Sequence, residues 1–302
     1  MGRADGSKLV ATQTLDRGGL WLAPTSNPDS AQQITPGTTR WDAVGLSWIG
    51  NAQIVYGYIG GDKFRIARLE IPSGQPTDLH LPGEALLYPA SCNGSIVYEQ
   101  GVKQNFSIWH AELNGGTPRA LDSGPTTGFP VCTPDGKLVI YDRVEGEETR
   151  LMRVPATGGT PQKLNDLDVR FPSMSPDGRQ VAAFYFTDPA AVPKLAVLPV
   201  EGGAPAQVID MPNNLDFRFP TSAGFGWMPD GHSVIFPVTE KGVTNLWVQP
   251  LGAIQGKLSP PHQWTHFSAN GVYRFAISPG GKQVVLARAA DTSDMVLITR
   301  LP

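Results

Sequence analysis

One turn recurs in register along this chain and constrains its fold more than any other feature. Phe129-PVCTPDGKLVIYD, Phe171-PSMSPDGRQVAAFYF, Phe225-GWMPDGHSVIFPV and Phe275-AISPGGKQVVLAR each read as a short strand, a Pro-x-Gly turn and a second apolar strand. Proline presets φ for the first turn position, aspartate accepts bonds from nearby amides, and glycine takes the positive φ at which the chain re-enters a strand. More worn copies stand at Gly45-LSWIGNAQIVYGY and Leu87-YPASCNGSIVYEQ, where Asn51 and Asn93-Gly94 supply the turn. The device is a β-hairpin, repeated.

After each hairpin comes a third strand and a glycine-rich turn: Ser107-IWHAELNGGTPRAL, Arg150-LMRVPATGGTPQKL, Lys194-LAVLPVEGGAPAQV and Asn245-LWVQPLGAIQGKL, with Leu20-WLAPTSNPDSAQQI and Phe64-RIARLEIPSGQPTDL as weaker kin. A fourth, more polar strand follows, as suits an outer edge that must not pair with other edges. Four strands per roughly 42 to 53 residues is the arithmetic of a β-propeller, whereas βαβ folds need a helical pattern between strands that this sequence lacks. The 34 glycines and 28 prolines, about a fifth of 302 residues, fit many short strands and tight turns. The expectation is an all-β fold, a seven-bladed β-propeller of four-stranded antiparallel blades, with six blades as the alternative.

The Ser175-Pro176-Asp177-Gly178 turn and the later Gly158-Gly159-Thr160-Pro161 turn resemble the TolB-like, WD-like propeller repeat, and the resemblance covers nearly the whole chain. Such repeats form periplasmic propellers, lids of prolyl-oligopeptidase-type peptidases, and extracytoplasmic domains of bacterial kinases and regulators. The resemblance therefore implies a periplasmic or extracytoplasmic setting, and it is stronger for fold than for function.

With strand A innermost and strand D outermost, the sequence counts seven B and seven C strands but six A and six D strands. Ala4-DGSKLVATQT reads as a turn and strand B without its strand A, and Met295-VLITRLP reads as a strand C without its strand D. Residues 1–302 are thus expected to be a single propeller domain, incomplete at the seam: a piece of a longer protein that is missing the two strands upstream of its start.

Net charge of −3 offers no footprint for nucleic acid or anionic lipid, and no apolar run reaches the ~20 residues of a membrane-spanning helix. Cys92 and Cys132 are too few for a disulfide scaffold and read as small buried residues. There is no G-x-S-x-G elbow, H-E-x-x-H, phosphate loop or EF-hand loop, so the chain reads as non-enzymatic, without cofactor or metal. His262 and His266 would sit about 13 Å apart in a strand, too far to share one ion. His80, His110 and His232 are isolated.

The candidate surface is a pair of near-identical segments ahead of two inner strands: Leu167-Asp168-Val169-Arg170-Phe171-Pro172 and Leu215-Asp216-Phe217-Arg218-Phe219-Pro220. In a propeller this connection reaches the mouth of the central channel, and residues two apart in an extended segment share a side. Asp168, Arg170, Phe171, Asp216, Arg218 and Phe219 are therefore expected at a recognition rim, with Arg40, Trp41 and Arg274 at related positions. The competing reading is local: Asp and Arg pair with each other while the Phe-Pro pairs wedge between blades. Trp21, Trp109 and Trp247 fall on strands C and are expected to pack between blades.

Three functions follow. The resemblance favours a monomeric, non-catalytic scaffold that binds a protein or small ligand at the funnel, as the sensor or interaction domain of a larger bacterial protein. The alternatives are a metal-dependent propeller enzyme such as a lyase or lactonase, and a peptidase lid whose hydrolase domain lies elsewhere.

Overall fold

The computed structural model describes residues 8–35, 44–72, 74–103, 105–124, 126–188, 190–217, 224–254 and 257–299. The repeated turn closes as its chemistry requires. Ser175 Oγ donates to Asp177 Oδ1 (2.6 Å) and accepts from the Gln180 amide (2.9 Å), while Asp177 Oδ1 accepts from the Arg179 amide (3.0 Å). Gly178 takes φ +70°. Thr133, Asp135 and Lys137 repeat this network one blade earlier.

These hairpins build six four-stranded antiparallel sheets. Blade 1 comprises Leu46–Ile49, Gln53–Gly60, Lys63–Glu70 and Thr77–Asp78; blade 2 comprises Ala85–Cys92, Ser95–Val102, Asn105–Glu112 and Arg119–Asp122. Blade 3 is Thr127–Cys132, Leu138–Glu145, Glu148–Pro155 and Gln162–Lys163, and blade 4 is Val169–Met174, Gln180–Tyr185, Lys194–Pro199 and Gln207–Ile209. Blade 5 is Gly226–Trp227, Ser233–Glu240, Val243–Pro250 and His262–Gln263, with a small hairpin, Ala253–Ile254 and Lys257–Leu258, before its last strand.

The count of seven blades is corrected to six, and the reason lies at the seam. Blade 6 takes strands A and B from Gly271–Ile277 and Gln283–Thr299, and strands C and D from Lys8–Pro24 and Gln32–Gln33. The segments read as a lone strand B at the start and a lone strand C at the end are the far halves of two 17-residue strands. They pair along their whole length, from Lys8 opposite Thr299 to Pro24 opposite Gln283. Asp16-Arg17-Gly18 and Ala289-Ala290-Asp291 lie opposite one another as extended backbone in the middle of this ladder. The seam blade therefore has all four strands, contrary to the incomplete seam expected from the strand count.

Six apolar clusters weld the six joints. Strand B shows how: Val181 and Ala183 face blade 3 while Ala182 and Phe184 face blade 5, so the two faces of one pleated strand feed two different cores. At the seam Leu20, Val285, Ala287 and Tyr273 meet Trp48, Ile54 and Tyr56 of blade 1. The Trp48 indole N–H donates to the Ala276 carbonyl at 2.9 Å, and Trp227 makes the same bond to Ser173 at 3.0 Å. Trp21, Trp109 and Trp247 are half-buried against these cores. His262 stands on strand D as expected, but His266 lies beyond it and pairs with Asp29 (Nδ1 to Oδ2, 2.9 Å).

Cys92 and Cys132, read as separate buried residues, are joined. Both end a strand A, in adjacent blades, with Cα atoms 5.3 Å apart, a spacing suited to a disulfide. The bond closes a loop with a sequence separation of 40 across the blade 2–blade 3 joint. Replacing both cysteines by serine is expected to lower stability by about 2–4 kcal/mol. Urea unfolding of the double variant against the oxidised parent measures this, and peptide mapping without reductant shows the Cys92–Cys132 link.

Candidate functional site

Strand A of blades 2, 3 and 4 carries an aromatic residue followed by proline: Tyr88-Pro89, Phe129-Pro130 and Phe171-Pro172. Proline has no N–H to give to the ladder, and each pair coincides with a shift of register against strand B. The aromatic residue takes φ +48°, +52° and +58° respectively, a conformation costing on the order of 1–3 kcal/mol for a side chain of this size. Neighbouring groups offset that cost. The rings stack across the blades, Tyr88 on Phe129 at 4.3 Å and Phe129 on Phe171 at 4.5 Å, and Phe171 meets Phe184 edge-on at 5.8 Å.

The bulges also turn backbone amides out of the ladder, and the preceding blade accepts them. The Phe129 amide donates to Glu99 Oε2 at 3.3 Å, and the Phe171 amide donates to Asp142 Oδ2 at 3.0 Å. Glu99 and Asp142 hold the same place on strand B of blades 2 and 3, opposite Leu87 and Gly128 of their own strands A. Blade 1 has Gly57 there. A Cβ at Gly57 would collide with the Val44 carbonyl oxygen, which accepts the Tyr88 amide in place of a carboxylate (3.0 Å). Blade 4 has Phe184 at this position, opposite Arg170, and blade 6 has Ala287, opposite Arg274. Among the described residues this strand B position is acidic only in blades 2 and 3.

Both acids are deeply buried, 5% and 6% exposed. Burial pushes the Glu99 carboxyl up to about 8, against the pull of the Phe129 amide. Asp142 is raised well above the usual carboxylate range, first by burial and further by the nearby Glu99, with the Phe171 amide opposing. Asp142 Oδ1 is buried and has no hydrogen-bond partner. The acids converge on Gly128, where an added Cβ would lie 2.6 Å from Glu99 Oε2.

The expected rim residues divide. Arg170 forks onto Asp168, with Nε and Nη2 at 3.2 and 3.1 Å from its two oxygens, and its guanidinium lies 4.5 Å over the Phe186 ring. Asp168 also accepts the Thr149 amide at 3.0 Å. The local ion pair and the Phe-Pro wedge are therefore both present, while Arg170 keeps about a third of its side chain in solvent. Arg274 bonds the Tyr273 carbonyl (2.7 Å) and reaches from blade 6, past blade 1, to within 5.8 Å of the Tyr88 ring centre. Asp216 is 5% exposed and accepts from the Thr239 and Thr244 hydroxyls, each at 3.2 Å. Arg40, Trp41, Arg218 and Phe219 lie outside the described residues. Among the described residues no three His, Cys, Asp or Glu side chains are grouped as metal ligands, and no helix is long and apolar enough to cross a membrane.

Asp168, Arg170 and Phe171 come together with Asp142 and Glu99, and Arg274 lies beside the Tyr88 ring, which meets Phe129; Glu99 and Asp142 belong to no sequence motif. Their signal was an ionisable residue closing an apolar strand B run, Ile-Val-Tyr-Glu and Val-Ile-Tyr-Asp.

The class defined is a closed six-bladed β-propeller of four-stranded blades with its candidate site at a channel mouth. Its fold is that of the TolB-like propellers. The chain is similar to the TolB-type protein of Agrobacterium tumefaciens at a TM-score of 0.69 and 14% identity, over 91% of this chain and 98% of that one. It is similar to TolB of Acinetobacter baumannii at 0.61 and 15%, over 93% and 66% respectively, and to a chain of a nidogen/laminin complex at 0.61 and 12%, over 83% and 93%. No protein-family model and no curated protein matches the sequence.

The two acids make stability depend on pH. Between the unfolded value of ~4.3 and the folded value of about 8, Glu99 keeps its proton in the folded state and loses it in the unfolded one. Folding stability is then fullest at low pH and falls as pH rises through this window, by up to about 1.4 kcal/mol per pH unit for each acid. Urea unfolding from pH 5 to pH 8 is expected to show this decline, shallower in Glu99→Gln, whose amide oxygen still accepts the Phe129 N–H. A Glu99→Gln profile as steep as that of the parent would contradict the assignment.

Proposed function

We propose that this chain is a non-catalytic propeller scaffold that binds a protein or small ligand at the channel mouth. In this reading it acts as a monomer, as the sensor or interaction domain of a longer bacterial protein, outside the cytoplasm. One observation carries the proposal: Arg170 and Arg274, both on innermost strands, lie over the Phe186 and Tyr88 rings, Arg170 still partly exposed. Arginine and aromatic side chains on a rigid mount are what binding hot spots are made of. The Cys92–Cys132 bond supports the location, since structural disulfides persist in oxidising compartments.

The test is affinity capture from a cell-envelope extract with quantitative mass spectrometry, comparing the parent with Arg170→Ala/Arg274→Ala. Binding at the mouth predicts at least a fivefold loss of the retained species with the unfolding midpoint nearly unchanged, because exposed ion pairs contribute about 0–1 kcal/mol. Arg153→Ala, on strand C of blade 3, where it pairs with Glu201, is expected to retain them. Equal retention by parent and rim variant would overturn the reading.

A further inference from the structure

We propose that the channel mouth accepts one positively charged nitrogen, an ammonium or guanidinium group, between the carboxyls of Glu99 and Asp142. The inference rests on the binding reading above and names the chemistry of what is bound.

Its starting point is Asp142 Oδ1. This oxygen is buried on a residue only 6% exposed, and nothing donates to it or accepts from it. As a carboxylate it lacks a donor; as an acid its O–H lacks an acceptor. A buried polar atom left in this state costs about 1–3 kcal/mol. Asp142 Oδ2 is already committed to the Phe171 amide, so the vacant position lies on the other arm of the carboxyl.

A second acid serves the same place. Glu99 acts electrostatically on Asp142, and its Oε2 lies over Gly128, the residue directly opposite Asp142. A neutral donor would fill the bond but would not balance the charge of an ionised acid there. A cation fills the bond and balances the charge.

Among the described residues, the carboxyls of Glu99, Asp142 and Asp168, the guanidiniums of Arg170 and Arg274 and the Tyr88 hydroxyl lie near one another here. Arg170 gives both of its carboxylate bonds to Asp168, and Arg274 is held at the Tyr273 carbonyl and the Tyr88 ring. Among the described residues neither guanidinium forms an ion pair with Glu99 or Asp142. The Tyr88 and Phe129 rings beside Glu99 add faces that attract cations. Burial favours the protonated form of both acids, and an arriving cation takes the place of one proton, so binding and proton release are linked.

Two probes separate the sources of such a group: ethylammonium chloride, for a free amine, and the peptide acetyl-Gly-Lys-Gly-amide, for a side chain of a polypeptide. The same peptide with norleucine for lysine is the neutral control. Calorimetric titration at pH 7 in two buffers of different ionisation enthalpy reads both affinity and protons released. The expected result is one saturable site for at least one cationic probe, none for the norleucine peptide, and release of about one proton. Asp142→Asn and Glu99→Gln keep an oxygen for the Phe171 and Phe129 amides. Each is expected to bind at least tenfold more weakly with an unchanged circular dichroism spectrum, and should one variant fail to fold, the other carries the test. Lysine-peptide binding alone identifies a polypeptide partner, and ethylammonium binding alone a small amine.

Absence of saturable binding by either cation to the parent overturns the proposal, as does binding that both variants retain. If the rim variant loses its captured partner while neither cation binds, the rim reading stands and this one falls. If a cation binds and the rim variant keeps its partner, the reverse holds.

Discussion

A pleated blade with apolar residues on both faces cannot be stable alone, because each face needs another blade against it. In this protein every strand B is such an element, and the demand is met only if the ring closes. Closure depends on the pairing of Lys8–Pro24 with Gln283–Thr299, which places the first and last strands of the chain in one sheet and sets Leu20 and Ala287 against Trp48 and Tyr56 of blade 1. The loop-closure entropy of joining the two ends is large, and the extended ladder and the seam cluster offset it together. Among the described residues each of the six joints then has its own apolar cluster.

That rigidity makes the channel mouth chemically unusual. Three successive inner strands hold an aromatic residue in a left-handed conformation before proline, a conformation that persists only where its surroundings over-determine it. Here they do so by ring stacking and by acceptors reaching across from the preceding blade, a carbonyl in blade 1 and buried carboxyls in blades 2 and 3. The carboxyls are bound to backbone amides, so the shape of the mouth and the protonation of its acids are one property.

Much of the architecture was legible because the turn residues act locally. Ser175, Pro176, Asp177 and Gly178 close their hairpin with bonds among themselves and the next two residues, and no distant contact is needed to read them. Blade number was less legible, since it depends on how the two ends of the chain pair. Asp16-Arg17-Gly18 has the composition of a turn, and only its opposite number, Ala289–Asp291, shows that it runs straight. The Cys92–Cys132 bond was hidden for a similar reason: the residues are a whole blade apart in sequence and adjacent only when two strands A stand side by side. At the mouth, the repeat located Asp168 and Arg170, while Arg218 and Phe219 of its second copy lie outside the described residues. Glu99 and Asp142 fall at the end of an apolar run, where only the register of neighbouring strands reveals that they meet.

The closed six-bladed ring is tested most directly by hydrogen exchange read by mass spectrometry on peptides covering the seam. If Lys8–Pro24 and Gln283–Thr299 form one ladder, the amides of residues 19–24 and 283–289 exchange at the rate of strand B of blade 3, Leu138–Glu145, and only on global unfolding. Rapid exchange in both seam segments while blade 3 stays protected would contradict closure, and with it the geometry of the mouth.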